Sequence, residues 1–523
     1  GSHFVPLLFR RPCSAPPSDA AAGADPGRPR GRHGGRAHAA RASPRRQARD
    51  LRPLALLHPP HRPRPARLRR RSPLRPPPRP DDAVDRVSRL PDALLRGIVS
   101  LLPVKDAART AALSRRWRGV WRSAPLVLAD ADLSPSPAAS ALSRVLGAHP
   151  GPFRCVHLTS SCTEESGHLL APWLQLLAAK AVQELVLVSS WFSLDAVLPA
   201  AVFGMATLTR LHLRLWKFPD TAGLPPGPGV SFPNLRELGL CSVLMETRDL
   251  DFMLDSSPVL ETLFIEGNLF TLRLRFVSQS LRCVQIIGSF LEEIFVVNAP
   301  RLERLINLEG WTPHGGCTKV KIGHAPKLQL LAYLQLDAGN HVLEVGNTII
   351  KAGTRVSPRT MVSSVTVLAL DVRFGVRNDA KMIPSLLRCF PNVETLHIKS
   401  GKCDLSTGKL NLKFWHDSGT VECVRSCVKR LIFHDFRGDR SELAFLKYFV
   451  ETASVLKQVV ILLSAGSTSA EEVHSKVAKF KRAGEISVAL VTGCSDLQGR
   501  YKRGSEFPLG DFFFLLKFPS ANY

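Results

Sequence analysis

The chain is poor in tyrosine (4 residues) and methionine (5), and its 11 cysteines include no Cys-x-x-Cys pair. Cys423 and Cys427 lie four apart, but no His/Cys pair at finger spacing follows, so no metal site is expected. Scattered, odd-numbered cysteines suit a reducing compartment, nucleus and/or cytoplasm, where most act as small buried hydrophobes. Long apolar runs are also missing. The most apolar stretch, Leu185 to Met205, is broken by Asp195 and Pro199, so no membrane span is expected. Phe4 to Phe9 is too short for a secretory core, and the chain opens on Gly1-Ser2-His3 without Met, as a fragment would. Gly-x-x-x-x-Gly-Lys-Ser/Thr, His-Glu-x-x-His and Gly-x-Ser-x-Gly are all absent. The His residues, among them His324, His397, His416 and His434, are dispersed, and the pairs Glu164-Glu165 and Glu292-Glu293 read as solvated faces. No catalytic residue, cofactor or metal ligand is assigned, and the chain reads as a non-enzyme.

Acidic residues are nearly lacking from one region. Residues 1–80 hold 19 Arg, 3 Asp and neither Lys nor Glu, and so carry +16 of the chain's +26. With 17 of the 40 Pro and no apolar periodicity, this tail cannot offset the entropy of ordering and reads as disordered. No aromatic side chain is interleaved with its arginines for base stacking, so nucleic acid is not the expected partner.

What is present begins at Arg86. Leu94, Leu95, Ile98, Leu101 and Leu102 fall on one helical period, Pro91 suits a first turn and Pro103 ends the helix. A second helix is expected from about Lys105 to Leu113, after which Leu113, Trp117 and Trp121 form a stripe. Three helices this short bury little core, which leaves apolar side chains for a partner. Leu90-Pro91-Asp92, Leu95, Ile98, Leu101-Pro103, Ala107, Thr110, Leu113-Ser114-Arg115-Arg116-Trp117 and Trp121 together resemble a plant F-box. The resemblance implies binding to the Skp-type adaptor of a cullin-RING ubiquitin ligase. On this reading the interface comprises Leu90, Pro91, Leu94, Leu95, Ile98, Leu101, Leu102, Pro103, Val104, Leu113, Trp117 and Trp121.

Beyond it a phrase recurs, hydrophobic-x-x-Leu-x-hydrophobic, as Val182-Leu185-Leu187, Leu208-Leu211-Leu213, Leu235-Leu238-Leu240, Leu260-Leu263-Ile265, Leu281-Val284-Ile286, Val365-Leu368-Leu370, Val393-Leu396-Ile398, Val428-Leu431-Phe433 and Leu456-Val459-Ile461. Its spacing is that of leucine-rich repeats. Pro233, Pro258, Pro300, Pro326 and Pro391 each stand five residues before a central Leu, marking the loop that enters a strand. Intervening residues such as Glu184, Arg210, Arg236-Glu237, Glu261 and Glu394 are expected on a solvent-facing wall. The gaps from 331 to 368 and from 396 to 431 are read as loops or degenerate repeats.

Glu422-Cys423, Val428 to Leu431, Phe436-Arg437-Gly438, Ser441-Glu442-Leu443, Phe445 to Tyr448 and Leu456 to Val459 resemble the FBD region of plant F-box proteins. Read from its residues, this is strand, turn, helix and strand, with the helix around Ser441 to Ala453 sealing the solenoid's open end. The expected fold is α/β. A disordered tail (1–80) precedes a three-helix F-box (86–125), a leucine-rich-repeat solenoid with a curved parallel sheet (150–415), an FBD-like cap (416–490) and a C-terminal segment (491–523). The resemblance implies a substrate-recognition subunit, with the protein to be ubiquitinated on the repeat wall. Two alternatives stay open: a receptor holding a small molecule in the repeat cavity, and nucleic-acid binding through the tail.

Overall fold

Each repeat phrase becomes one strand of a single parallel sheet. The computed structural model describes residues 86–133, 138–190, 195–221, 231–310, 312, 316–340, 342–403, 407–408, 410–464, 469–481 and 485–491. The tail and the segment after residue 491 therefore lie outside the described residues. Fourteen strands, from Leu126–Ala129 to Ser487–Val491, make the sheet. One inward column runs through all of them in register: Leu128, Val156, Leu185, Leu211, Leu238, Leu263, Val284, Leu305, Leu331, Leu368, Leu396, Leu431, Val459 and Val488. With period-two alternation, matching the central Leu of each phrase to its neighbour sends the flanking apolar residues to the same face, so register and core are fixed together.

The proline marker has a specific cause. Leu235 N–H donates to Phe232 O, Leu260 to Ser257 O, Leu302 to Ala299 O and Leu328 to Ala325 O. Pro233, Pro258, Pro300 and Pro326 thus occupy the second position of β-turns, where their fixed φ is already correct. Each strand then opens on a bulge. The carbonyl of Thr209 accepts from both Arg236 and Glu237, that of Arg236 from Glu261 and Thr262, that of Glu261 from Arg282 and Cys283, and that of Arg282 from Glu303 and Arg304. Two consecutive residues opposite one carbonyl break the alternation, which turns both side chains to the same wall. The residue leaving the strand is left-handed in five successive repeats, Leu215, Ser242, Gly267, Gly288 and Glu309, with φ of 59, 50, 65, 52 and 54°. Three of these bear a Cβ that disfavours this region by about 1–2 kcal/mol. The first four also donate N–H to the last residue of the next strand, which holds the turn in place.

Opposite the sheet, helices Gly167–Ala179, Thr247–Asp255, Ile383–Arg388 and Arg440–Thr452 supply buried side chains. In the central repeats a second sheet replaces them. Strands Leu272–Val277, Leu291–Asn298, Lys319–His324, Leu343–Val345 and Thr348–Ile350 form five strands whose inward residues, such as Leu274, Ile294, Ile322 and Val345, join the main core. The gap from 331 to 368 holds the last two of these strands, and that from 396 to 431 holds helices Leu412–Asp417 and Glu422–Ser426. The FBD-like region is one repeat unit, with Leu446 and Phe449 fully buried. Its helix does not seal the end, however, because strand Ser487–Val491 pairs beyond Gln458–Leu463 and continues the sheet.

At the other end α1 (Asp92–Val99), α2 (Val104–Thr110) and α3 (Arg115–Ser123) pack together. The second helix ends before the expected Leu113, which lies in the turn ahead of α3, exposed rather than on a Trp stripe. This module is not tethered by a loose linker. Leu95, Val104 and Ala107 belong to the same core as Leu126 and Leu128. Pro103 pairs with Val127 in a parallel bridge, so the chain between α1 and α2 runs along the edge of the sheet. His149 packs its ring 5.1 Å from both Trp121 and Phe153, joining α3 to the first full repeat.

Candidate functional site

The F-box motif residues explain their own geometry. Ser114 caps α3, accepting from Trp117 N–H at 3.3 Å. Arg116 donates to the Asp92 carboxylate at 2.8 Å and to the carbonyls of Ser88 and Leu90. The Trp117 indole donates to Ser88 Oγ at 2.9 Å. The segment before α1 is thereby strapped to α3, which fixes how α1 is presented.

The twelve residues read from the sequence divide by direction. Leu95, Val104 and Trp117 are buried and hold the module together. Leu90, Leu102 and Trp121 pack partly against the core, while Pro91 and Pro103 are exposed at the starts of α1 and α2. Leu94, Ile98, Leu101 and Leu113 face solvent, at 55, 41, 75 and 66 % exposure, and Val87 joins them at 52 %. Alternating apolar positions on α1 therefore serve opposite purposes: Leu95 and Val99 face in, Leu94 and Ile98 face out. A helix apolar on both sides is covered on only one of them.

The second candidate surface is the wall of the main sheet turned away from the core. Bulged and in-register residues make two parallel rows on it, and these are laced by ion pairs: Arg210 with Glu184 and Glu237 at 3.5 and 3.4 Å, Arg236 with Glu261, Arg282 with Glu303 at 2.9 Å and Lys429 with Glu394 at 2.8 Å. Between Glu184 and Arg304 they line a groove of about 470 Å³. Sequence alternation alone would put one of Arg236 and Glu237 in the core; the bulge frees both, with side chains 63 and 13 % exposed.

Further along, the wall turns apolar. Ile306, Leu330, Ala332, Val367 and Ala369 form a second buried cluster with Tyr333 packed on it. A register shift in strand Leu330–Gln335 and the small Ala332 and Ala369 make room for the Tyr333 ring, which meets His434 edge-on at 6.3 Å. His434 stacks on His397. Burial, and next to it the neighbouring Lys399, lowers His434 to a pKa of about 4. Desolvation raises the Asp371 carboxyl, against the pull of Lys399 3.9 Å away. The buried Cys423 thiol is pushed up to about 12, chiefly by desolvation, and donates to Leu387 O.

The sequence reading placed Glu442 in the FBD resemblance but gave it no role. This fully buried carboxylate accepts from Ser400 Oγ at 2.6 Å and from Arg437 and Asp439 N–H at 3.0 and 2.9 Å. It ties the Phe436-Arg437-Gly438 turn to the next helix, and the signal for it was the spacing of Asp439 and Glu442, a capping box.

Three short helices strapped to one end of a parallel repeat sheet define a leucine-rich-repeat protein with an N-terminal F-box. Comparison with known proteins agrees. Residues 87–128 match the F-box domain, 170–398 match the family model for "FBD-associated F-box protein At5g56370, LRR repeats" and 416–461 match FBD. F-box/LRR-repeat protein At3g26922 of Arabidopsis thaliana is 30 % identical over 254 residues, 47 % of this chain and 80 % of that protein. F-box/FBD/LRR-repeat protein At5g22660 of the same plant is 25 % identical over 449 residues, 77 % of this chain and 96 % of that protein. F-box/LRR-repeat protein 13, also from Arabidopsis thaliana, is 25 % identical over 423 residues, covering 73 and 90 %. The chain belongs to the plant F-box/LRR/FBD family.

Proposed function

We propose that this protein is the substrate-recognition subunit of a Skp-cullin-F-box ubiquitin ligase, working in the nucleus or cytoplasm. The F-box binds the Skp-type adaptor and the repeat wall binds the protein to be ubiquitinated. The observation that carries this reading is the outward apolar set Val87, Leu94, Ile98, Leu101 and Leu113, five large exposed hydrophobics on a module whose other side is already in the core. The membership of the chain in an F-box family supports the same assignment. No reactive side chain is required of such a subunit. It raises the concentration of substrate lysines beside the charged conjugating enzyme, an entropic contribution.

The test is a pull-down of purified Skp-type adaptor by the full chain, wild type against Leu94→Asp and Leu101→Asp. Loss of binding with unchanged folding supports the assignment. Retention of binding by both variants overturns it.

A further inference from the structure

The inward column of the main sheet ends differently from the way it begins. Its first thirteen members, Leu128 to Val459, are at most 1 % exposed, and the fourteenth, Val488, is only half-buried. Leu490, two residues on, is half-buried as well, whereas Ile461 opposite it is fully buried. At the near end Leu128 is covered, because the F-box helices share its core and Pro103 pairs along the first strand. At the far end Ser487–Val491 is the last strand in the order, so among the described residues no strand lies along its outer edge. Its sequence, Ser-Val-Ala-Leu-Val, carries neither charge nor proline, the residues that keep sheet edges from pairing with other chains. A solenoid end of this kind needs a cover.

We propose that the cover is this chain's own segment Leu515 to Phe518, added as a parallel strand on the edge of Ser487–Val491, with Leu516 opposite Val488 and Phe518 opposite Leu490. The segment's sequence argues for it. Phe513-x-x-Leu516-x-Phe518 is the repeat phrase once more, and the step to it is the one the last repeats use: Val459 follows Leu431 by 28 residues, Val488 follows Val459 by 29, and Leu516 follows Val488 by 28. The connection has the right length too. Residues 464–486, 23 in all, join the last two described strands, and residues 492–514, again 23, join Val491 to Leu515, well above the dozen or so that a parallel crossover needs. Chemistry agrees on both sides of the added strand. Leu516 and Phe518 extend the apolar column and bury what Val488 and Leu490 leave exposed. Lys517 and Pro519 then stand at the new outer edge, a charge and a missing donor that close it to further pairing. A second copy of the chain is the rival occupant of this edge, and it lacks the advantage of covalent attachment.

The experiment is amide hydrogen exchange, read by mass spectrometry on the full chain at high and low protein concentration. In the wild type, peptides covering 487–491 and 515–518 should both be protected, equally at the two concentrations. Leu516→Asp puts a charge into the column, so exchange in both peptides should rise together by about 10-fold or more, while strands as far as Arg430–Phe436 keep their protection because each repeat is held mainly by its neighbours. Lys517→Glu, on the opposite side of the strand, should leave exchange unchanged. The proposal is overturned if 515–518 exchanges at the rate of an unprotected chain, if 487–491 is indifferent to Leu516→Asp, or if Lys517→Glu acts as strongly as Leu516→Asp. Protection of 487–491 that disappears on dilution would give the edge to a second copy and overturn it as well.

Discussion

The Nδ1 of His397 lies 3.1 Å from the Nε2 of His434, with the two rings stacked at 22° on neighbouring strands. One proton at most fits between them, and burial penalises any second charge, so both rings titrate below the ordinary histidine range, His434 at about 4. The unfolded chain binds their protons near pH 6.5 and the folded chain does not. Stability is therefore full above about pH 6.5 and falls as pH drops below it, by up to ~1.4 kcal/mol per pH unit for each ring. His149, lowered chiefly by burial, adds to the same loss. Urea unfolding at stepped pH should show this slope, and replacing both His397 and His434 by Gln should flatten it. The raised carboxyls Asp371 and Glu442 act with the opposite sign at lower pH.

Neighbouring leucines on α1 should give different phenotypes. Leu94→Asp is expected to change folding stability by less than about 0.5 kcal/mol and to weaken the adaptor more than ~100-fold, near 3 kcal/mol. Leu95→Asp puts a charge at a fully buried site and should unfold the module instead. Circular dichroism beside the pull-down separates the two; a folded Leu95→Asp that merely loses the adaptor would contradict the inward orientation of Leu95.

A Cβ on Gly239 would meet the His212 ring at 2.3 Å, and His212 is held by Glu237 at 3.1 Å. Gly239→Ala should cost about 1–3 kcal/mol. In a His212→Ala background the same change should cost nearly nothing, and a double-mutant cycle reads the difference.

In the FBD unit, Phe449→Ala should destabilise by about 3–5 kcal/mol, since the ring is fully buried. Glu442→Ala should cost about 2–3 kcal/mol by leaving the donors of Ser400, Arg437 and Asp439 unpaired. Adaptor binding should survive both. Denaturant midpoints and pull-downs decide.

Much of this molecule is readable from its sequence because the repeat phrase places apolar residues at period two, and nine phrases at near-constant spacing leave one sheet as the simplest burial. Three strands of the main sheet escaped, Leu126–Ala129, Phe153–Leu158 and Ser487–Val491, all at the ends of the array: Phe153-Val156-Leu158 fits the phrase as Leu281-Val284-Ile286 does, whereas the other two have Pro125 and Glu485 where the phrase opens on an apolar residue. The second sheet escaped for a different reason: Leu272-x-Leu274-x-Phe276 is a good strand pattern but lies between phrases, where a helix or loop is the default. At the F-box the composition marked the surface without its sides, since Leu94 and Leu95 are chemically alike and only the packing of α3 and the sheet edge decides which is covered. The groove was half legible. Its charged residues were visible, whereas the bulges that aim two consecutive side chains at one wall depend on carbonyls a repeat away.

The bridge between Pro103 and Val127 gives the wall a fixed origin. From Val127 to Cys283 is six strand spacings, about 29 Å at ~4.8 Å each. On the proposed function, distance from the adaptor is counted in strands, like marks on a ruler with a fixed zero. Inserting or deleting one repeat ahead of the groove would then shift a substrate held there by one mark, and so change which of its lysines comes within reach.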